Sequence, residues 1–322
     1  MARVIDILQT QQKTFQQKTF SIEILPPERY TDVNAFHAKI DSMVAYDPLF
    51  MTIVYHQQQM KEVVHPDKHV ELLPRKIRAS PDLLAAFFQG RYPNIPIAPH
   101  FICGGFTKSE TESAVIQLPF AGIENIILIR GDPNHGDIFK SHPEGHKYAS
   151  ELIEQITRMR QGKYLSPPFE GCQPINLCVG AAIYPEKHYA SANLDDCIEK
   201  AKIKQEKGAD YFLTQLCFDN DAIIRLRDLA VQKGITIPII PGIKILDSTK
   251  QLTGERSIPA RFGASIPEKL RQAVLNTGIV AGKEWAVRQA EGLYAAGFSN
   301  VHFYTQNKPE TILPVLDALG FR

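Results

Sequence analysis

Two carboxylates in this chain stand at the ends of apolar runs, and their neighbours differ. Glu23 lies between Ile22 and Ile24, in a run that stops at Pro26-Pro27. Asp132 follows Arg130 and Gly131, directly after the run Ile126–Ile129. A carboxyl group among apolar side chains holds its proton to higher pH, whereas one beside a guanidinium ionises readily. Glu23 is therefore the candidate proton donor and Asp132 the carboxylate kept ionised, a division of labour suited to acid–base catalysis. Other polar groups follow similar runs: His100, then Tyr184, Glu186 and His188, then Gln215, and last Asn307 with Lys308. Alone, each has a plainer reading. A single Glu in a strand is more often a solvated edge residue, Arg-Gly-Asp serves equally well as a strand-end turn, and His188 can cap or pair locally. His135, His142 and His146 lack the tight spacing of helix-borne metal ligands and read as a solvated loop. No metal site is expected.

The elements that must carry these groups are legible from glycine and periodicity. At Gly122, Gly208, Gly234 and Gly297 a helix-like stretch ends and a short apolar run begins. Glycine just past a helix end accepts the left-handed conformation that lets the chain turn. An apolar, β-branched run after it reads as a strand buried on both faces. Eight such strands are expected: Thr19–Ile24, Leu49–Val54, Ile95–Ile102, Asn125–Ile129, Ile175–Ile183, Asp210–Leu213, Ile237–Ile240 and Asn300–Tyr304. Thr107 and Glu110 form a capping box for a helix that Pro119 should kink, and Asn220 should cap a helix bearing Ile223, Leu226 and Ala230. His56 to Asp82 and Pro133 to Lys147 read as long loops after the second and fourth strands. The pattern predicts an α/β fold: a single (β/α)8 TIM barrel over residues 1–322, with an N-terminal helical extension and long loops at the C-terminal rim. An open doubly wound sheet is the alternative.

Composition narrows the function classes. A net charge of +1 over 322 residues argues against nucleic acid or a membrane as the main partner. Five cysteines without a C-x-x-C pair argue for core thiols in a reducing cytoplasm rather than a disulfide scaffold. The first twenty residues do not read as a signal peptide, and no stretch approaches the length that spans a bilayer. Neither a P-loop nor a convincing G-x-G-x-x-G follows a strand, so a nucleotide cofactor would be held by the barrel rim.

The run Phe20-Ser21-Ile22-Glu23-Ile24-Leu25-Pro26-Pro27 resembles the opening strand of methylenetetrahydrofolate reductases. So do Ala98-Pro99-His100, Arg130-Gly131-Asp132-Pro133, Tyr148-Ala149-Ser150, Tyr184-Pro185-Glu186 with His188, and Thr214-Gln215 with Phe218-Asp219. Ile239-Ile240-Pro241-Gly242-Ile243 and His302-Phe303-Tyr304-Thr305 with Asn307 complete the series, in order from residue 19 to the end. The resemblance, to the short bacterial form in length, implies an FAD-bearing barrel that reduces 5,10-methylenetetrahydrofolate to 5-methyltetrahydrofolate with NAD(P)H, in a cytoplasmic enzyme that is a possible homo-oligomer. It implies Glu23 as the acid that assists opening of the folate ring and Asp132 as the carboxylate beside the flavin. It further implies FAD contacts at His100, Arg130, Gly131, Asp132, Tyr148, Ala149, Tyr184, His188 and Lys204. Folate contacts are implied at Glu23, Asp132, Gln215, Gln251 and Lys308. Lys204 also makes sense as a helix-borne cation placed to meet a pyrophosphate.

The chain departs from the family at several points. The second strand ends Ile53-Val54-Tyr55-His56, so Val54 offers no hydroxyl where the family usually has Thr. Cys197 stands where an acidic or amide FAD contact is usual, Lys308 where an Arg often meets folate, and a Gln-rich stretch follows residue 56. Two other readings remain: a flavin barrel fed by a partner protein, and an idle relative that only binds folate.

Overall fold

The computed structural model describes residues 2–14, 18–55, 59–66, 70–75, 78–131, 139, 141–165, 172–255 and 257–321. Helix α1 (Val4–Thr14) precedes β1 (Thr19–Ile24), α2 (Val33–Val44) and β2 (Met51–Ile53). An antiparallel hairpin, β3 (Gln59–Val64) with β4 (Val70–Arg75), leads to α3 (Pro81–Arg91) and β5 (Ile97–Ile102). Then come α4 (Lys108–Val115), β6 (Asn125–Ile129), α5 (Ala149–Met159), β7 (Cys178–Ile183), α6 (Leu194–Glu206), β8 (Tyr211–Thr214) and α7 (Asn220–Gln232). The chain closes with β9 (Ile239–Ile240), β10 (Gly242–Ile243), α8 (Ile258–Phe262), α9 (Glu268–Thr277), α10 (Ile279–Ala295), β11 (Asn300–Phe303) and α11 (Pro309–Leu319).

Outside the hairpin, the strands run parallel in the order β10-β11-β1-β2-β5-β6-β7-β8-β9. β9 and β10 flank Pro241 and act as one length of wall: β9 pairs with β8, and β10 with β11. The His302 amide donates to the Pro241 carbonyl at 2.7 Å across this seam. The result is an eight-walled α/β barrel. The helix-to-strand glycines behave as expected, with Gly122, Gly208, Gly234 and Gly297 all at positive φ.

Alternation sorts the wall residues between two apolar regions. Phe20, Ile22, Met51, Ile97, Leu128, Val179, Phe212 and Phe303 face outward into one large core shared with the helices. Phe50, Ala98, Ile127, Cys178, Tyr211 and Ile240 fill the barrel interior together with Val4, Ile5 and Leu8 of α1. Helix α1 thus closes the bottom, and the Val4 amide donates to Asn125 Oδ1 at 2.7 Å. With the bottom sealed by apolar side chains, polar chemistry is left to the opposite rim.

Four expectations need correction. His146, read as part of a solvated loop, is buried at 2% exposure. The segment 56–82 is not simply a loop, because its β-branched runs pair as the hairpin β3–β4. Pro119 kinks no helix: α4 stops at Val115, and Pro119 opens a separate 3-10 turn to Ala121 that ends on left-handed Gly122. Asn220 is not the cap of α7. Asp219 caps it by accepting from the Asp221 amide, while Asn220 Nδ2 donates to the Gln289 carbonyl at 3.0 Å. The Thr107–Glu110 capping box is present.

Gly242 sits where the wall and the rim meet. A Cβ there would lie 2.5 Å from the Tyr304 ring and 2.6 Å from the Thr214 carbonyl oxygen, which is backbone and cannot swing aside. Overpacking of this kind costs about 1–3 kcal/mol. Gly242→Ala should therefore lower the thermal midpoint, as measured by calorimetry, and an unchanged midpoint would mean that Tyr304 does not lie across this glycine.

Candidate active site at the barrel mouth

The wall register assembles the first half of the site. Ser21, His302 and Gly242 lie in one row across β1, β11 and β10, and Ile22, Phe303 and Ile243 in the next. One residue further on come Glu23, Tyr304 and Lys244, facing the interior, with Thr52 of β2 beside Glu23. Below them His302 is buried, its Nδ1 2.9 Å from Ser21 Oγ, and burial with His100 nearby lowers its pKa to about 3. It is a neutral floor to the mouth.

Glu23 is held by its backbone. Thr305 Oγ1 donates to the Glu23 carbonyl at 2.7 Å. Asn307 clamps the next residue at both ends, its Oδ1 accepting from the Leu25 amide at 2.9 Å and its Nδ2 donating to the Leu25 carbonyl at 2.6 Å. Asn307 reaches this pose with φ at 56°, in the left-handed region that Asn tolerates better than most residues. Desolvation pushes the Glu23 carboxyl up to about 8, with Lys244 pulling in the opposite direction. At such a value the protonated form is favoured at neutral pH. Lys244 is itself buried, and its Nζ donates to the Tyr304 carbonyl at 3.1 Å. The Tyr304 hydroxyl crosses the mouth to the Thr214 carbonyl at 2.6 Å. Lys308 forms an ion pair with Asp247, whose side chain is only 8% exposed.

The second half of the site is cationic and aromatic. Arg130, at the end of β6, lies 5.1 Å from the Tyr189 ring centroid and hydrogen-bonds the Tyr189 hydroxyl. Gly131 beside it has φ +85°, and a Cβ there would meet Ile102 at 3.3 Å, so the strand end suits glycine on both counts. The His188 ring packs edge-on to Tyr184 at 4.5 Å, and its pKa falls to about 4 through burial, then the charges of Arg130, Lys204 and Lys200. Lys204 Nζ donates to the Ala182 carbonyl at 2.7 Å and lies 5.9 Å from the Tyr184 ring. Burial lowers its pKa to about 8, with Cys197 opposing the shift. An ammonium has three donors, so this bond leaves Lys204 capacity for an anion. Tyr184 borders both halves: it packs on His188 and lies near enough to Tyr304 to act, after burial and Glu23, against ionisation of the Tyr304 phenol.

The sequence-derived residues therefore sort into groups. Glu23, His100, Arg130, Gly131, Tyr184, His188, Lys204 and Gln215 all sit at or just past the C-terminal ends of strands or face them. Ala149 opens α5 and is buried, while Tyr148 before it is 58% exposed. Gln251 and Lys308 already have partners in this structure: Gln251 Oε1 accepts from the Asp247 amide at 2.9 Å, and Lys308 holds Asp247. Gln215 folds back, its Oε1 accepting from the Leu216 amide at 2.9 Å. Asp132 and His135 lie outside the described residues. Among the described residues no group of His, Cys, Asp and Glu could hold a metal ion. Sequence reasoning missed Lys244 and Thr305. The signal for Lys244 was available, as a lone charge inside the apolar run Ile239–Leu246.

The Glu23 shift has a consequence for stability. Its folded pKa, about 8, exceeds its ordinary value of 4.5, so between these pH values the folded state binds the extra proton. Stability then falls as pH rises through that window. Glu23→Gln removes the effect, so its melting temperature relative to wild type should be higher at pH 8 than at pH 5. A difference that stays constant across the window would mean that Glu23 ionises normally in the folded protein.

Comparison with known proteins accords with this geometry. A computed fold match covering 97% of both chains, with a TM-score of 0.59 and 16% identity, is a Clostridium thermocellum protein described as binding two copies of 5-methyl-5,6,7,8-tetrahydrofolic acid. At that identity the likeness shows the fold alone. In sequence, the chain is 28% identical over 310 residues to the 5,10-methylenetetrahydrofolate reductase of Buchnera aphidicola subsp. Baizongia pistaciae, covering 94% of this chain and 92% of that one. It is 24% identical over 312 residues to methylenetetrahydrofolate reductase 1 of Schizosaccharomyces pombe, covering 95% of this chain and 46% of that one. The chain thus spans about half the length of the fission yeast relative. No helix among the described residues is long and apolar enough to cross a membrane. The methylenetetrahydrofolate reductase family matches residues 8–320, and the chain belongs to that family.

Proposed function

We propose that this chain reduces 5,10-methylenetetrahydrofolate to 5-methyltetrahydrofolate, using FAD and NAD(P)H. The observation that carries the reading is the placement of the Glu23 carboxyl, raised to about 8 by burial, at the mouth of a barrel of this family. Opening the folate imidazolidine ring to an iminium requires a proton at the departing nitrogen, and Glu23 is a suitable donor. The Thr305 and Asn307 bonds to the β1 backbone fix where that proton is offered. Asp132 is proposed as the ionised carboxylate beside the flavin and folate, Gln215 and Gln251 as folate contacts, and Lys308 as a further contact that must share or release Asp247.

The residues on the far side of the mouth fit FAD. Arg130, His188 and Lys204 offer guanidinium, imidazole and ammonium donors around exposed Tyr189, and left-handed Gly131 permits close backbone approach. His100, Tyr148, Ala149 and Tyr184 complete the proposed contacts. When bound, FAD would relay hydride from NAD(P)H to folate. The chain's own part is to hold anionic groups against the cations, to orient folate, and to supply the proton from Glu23.

Two measurements test this reading. Protein purified under mild conditions should show the two visible flavin absorption bands. NADH should bleach them without oxygen, and 5,10-methylenetetrahydrofolate should restore them; a colourless protein that takes up no added FAD would overturn the proposal. Lys204→Ala should raise the FAD dissociation constant roughly tenfold to a hundredfold, the effect of losing one charge-assisted contact. Unchanged FAD retention on dilution would remove Lys204 from the cofactor site.

A further inference from the structure

Lys244 is a buried charge that the proposed reaction does not use. It follows β10 in the run Ile239–Leu246, where the other side chains are apolar apart from Pro241 and Gly242. It is 5% exposed. Among the described residues its ammonium makes one hydrogen bond, to the Tyr304 carbonyl at 3.1 Å. An ammonium carries three donors, and burying one with two of them idle is costly.

The register places Lys244 in the same inward-facing row as Glu23. Ile22 pairs with Phe303, and Phe303 with Ile243. All three point outward into the helix-facing core, so the following residues, Glu23, Tyr304 and Lys244, form the next row and face inward. Neighbouring strands are about 4.8 Å apart, which puts the Lys244 backbone roughly 10 Å from that of Glu23, within reach of two long side chains. The Tyr304 ring does not block the gap, because it leans over Gly242 towards the Thr214 carbonyl. The nearby carboxylate of Asp247 is already paired with Lys308. The geometry assigns Lys244 as a positioning residue for Glu23: its ammonium, anchored on the Tyr304 carbonyl, draws the carboxyl group towards β10 and sets the pH at which its proton is released.

In this structure the ammonium acts on the Glu23 carboxyl by its charge and not through an ion pair, and the other groups facing Glu23 do not replace that charge. Tyr304 and Tyr184 are phenols, and the Tyr304 hydroxyl is held protonated by burial and by the Glu23 charge. His302, below, is held neutral by burial. Asp247 and Lys308 are paired with each other. Lys244 is pulled two ways: burial lowers its pKa to about 8, while Asp247 and Glu23 raise it and Lys308 lowers it. The sign is fixed by charge. A cation beside Glu23 stabilises its carboxylate, so removing the cation makes the carboxyl keep its proton to higher pH.

The use of that proton rests on the reading of Glu23 as the folate acid, but its titration does not. The infrared band of a protonated carboxyl group, assigned to Glu23 by its loss in Glu23→Gln, can be followed against pH in the intact protein. In Lys244→Met the midpoint of that band should move up by about one pH unit, a roughly tenfold tighter hold on the proton. Lys244→Arg keeps a cation that does not deprotonate in this range, so its midpoint should stay at or below that of wild type. If Lys244→Met does not fold, Lys244→Gln keeps a donor for the Tyr304 carbonyl, removes the charge and reads the same midpoint. A midpoint unchanged on loss of the charge would overturn the assignment. The alkaline limb of the folate half-reaction should move with the band. A band that moves while the limb stays would support the Lys244 assignment and refute Glu23 as the acid.

Discussion

Keeping one carboxyl group protonated inside a barrel wall is the constraint around which this molecule is arranged. Such a group must be desolvated, yet water cannot be excluded from the working rim of a barrel as it is from the interior. The chain resolves this from below and from the sides. Helix α1 seals the bottom with Val4, Ile5 and Leu8, and above that apolar plug the buried polar groups include neutral His302, Ser21, Asn300 and His100. Tyr304 lies across the mouth, and Thr305 with Asn307 ties the backbone at the end of β1.

The same rim carries opposite electrostatic tasks a few strands apart. Around β1, β10 and β11, Lys244 opposes the burial that raises Glu23, while Lys308 pairs with Asp247. Around β6, β7 and α6, burial and then the gathered cations hold His188 well below its ordinary pKa. Cations that depress one another in this way are unfavourable in isolation and become favourable when an anion arrives among them. That side of the mouth is therefore suited to anionic groups, and the Glu23 side to proton transfer. Tyr184 borders both.

Much of this was legible in the sequence because the determining signals are local. The four glycines after helix-like stretches take positive φ as their positions required, and the strand they introduce after Glu124, Asn125–Ile129, has the predicted limits. Apolar flanks alone pointed to a desolvated Glu23. The hairpin β3–β4 was not legible, since strands that mix charged and apolar residues, Gln59–Val64 and Val70–Arg75, carry no clean alternation and are set by cross-strand pairing. Nor was the capping of α7 by Asp219 rather than Asn220, where adjacent residues compete for one role and the Gln289 carbonyl on α10 decides. The row Glu23–Tyr304–Lys244 depends on register between strands some 280 residues apart in sequence (Ser21 to His302 are separated by 281). Local patterns do not contain that information.

The most direct test of the central claim separates the two half-reactions in Glu23→Gln by stopped-flow absorbance. Hydride delivery from NADH needs no proton from the protein, whereas ring opening of the folate does. General acid assistance is worth about a hundredfold to ten-thousandfold. The account predicts near-normal reduction by NADH, together with folate reduction slowed by about that factor. Equal slowing of both half-reactions would contradict it, because Glu23 would then support the shape of the site and not its proton chemistry.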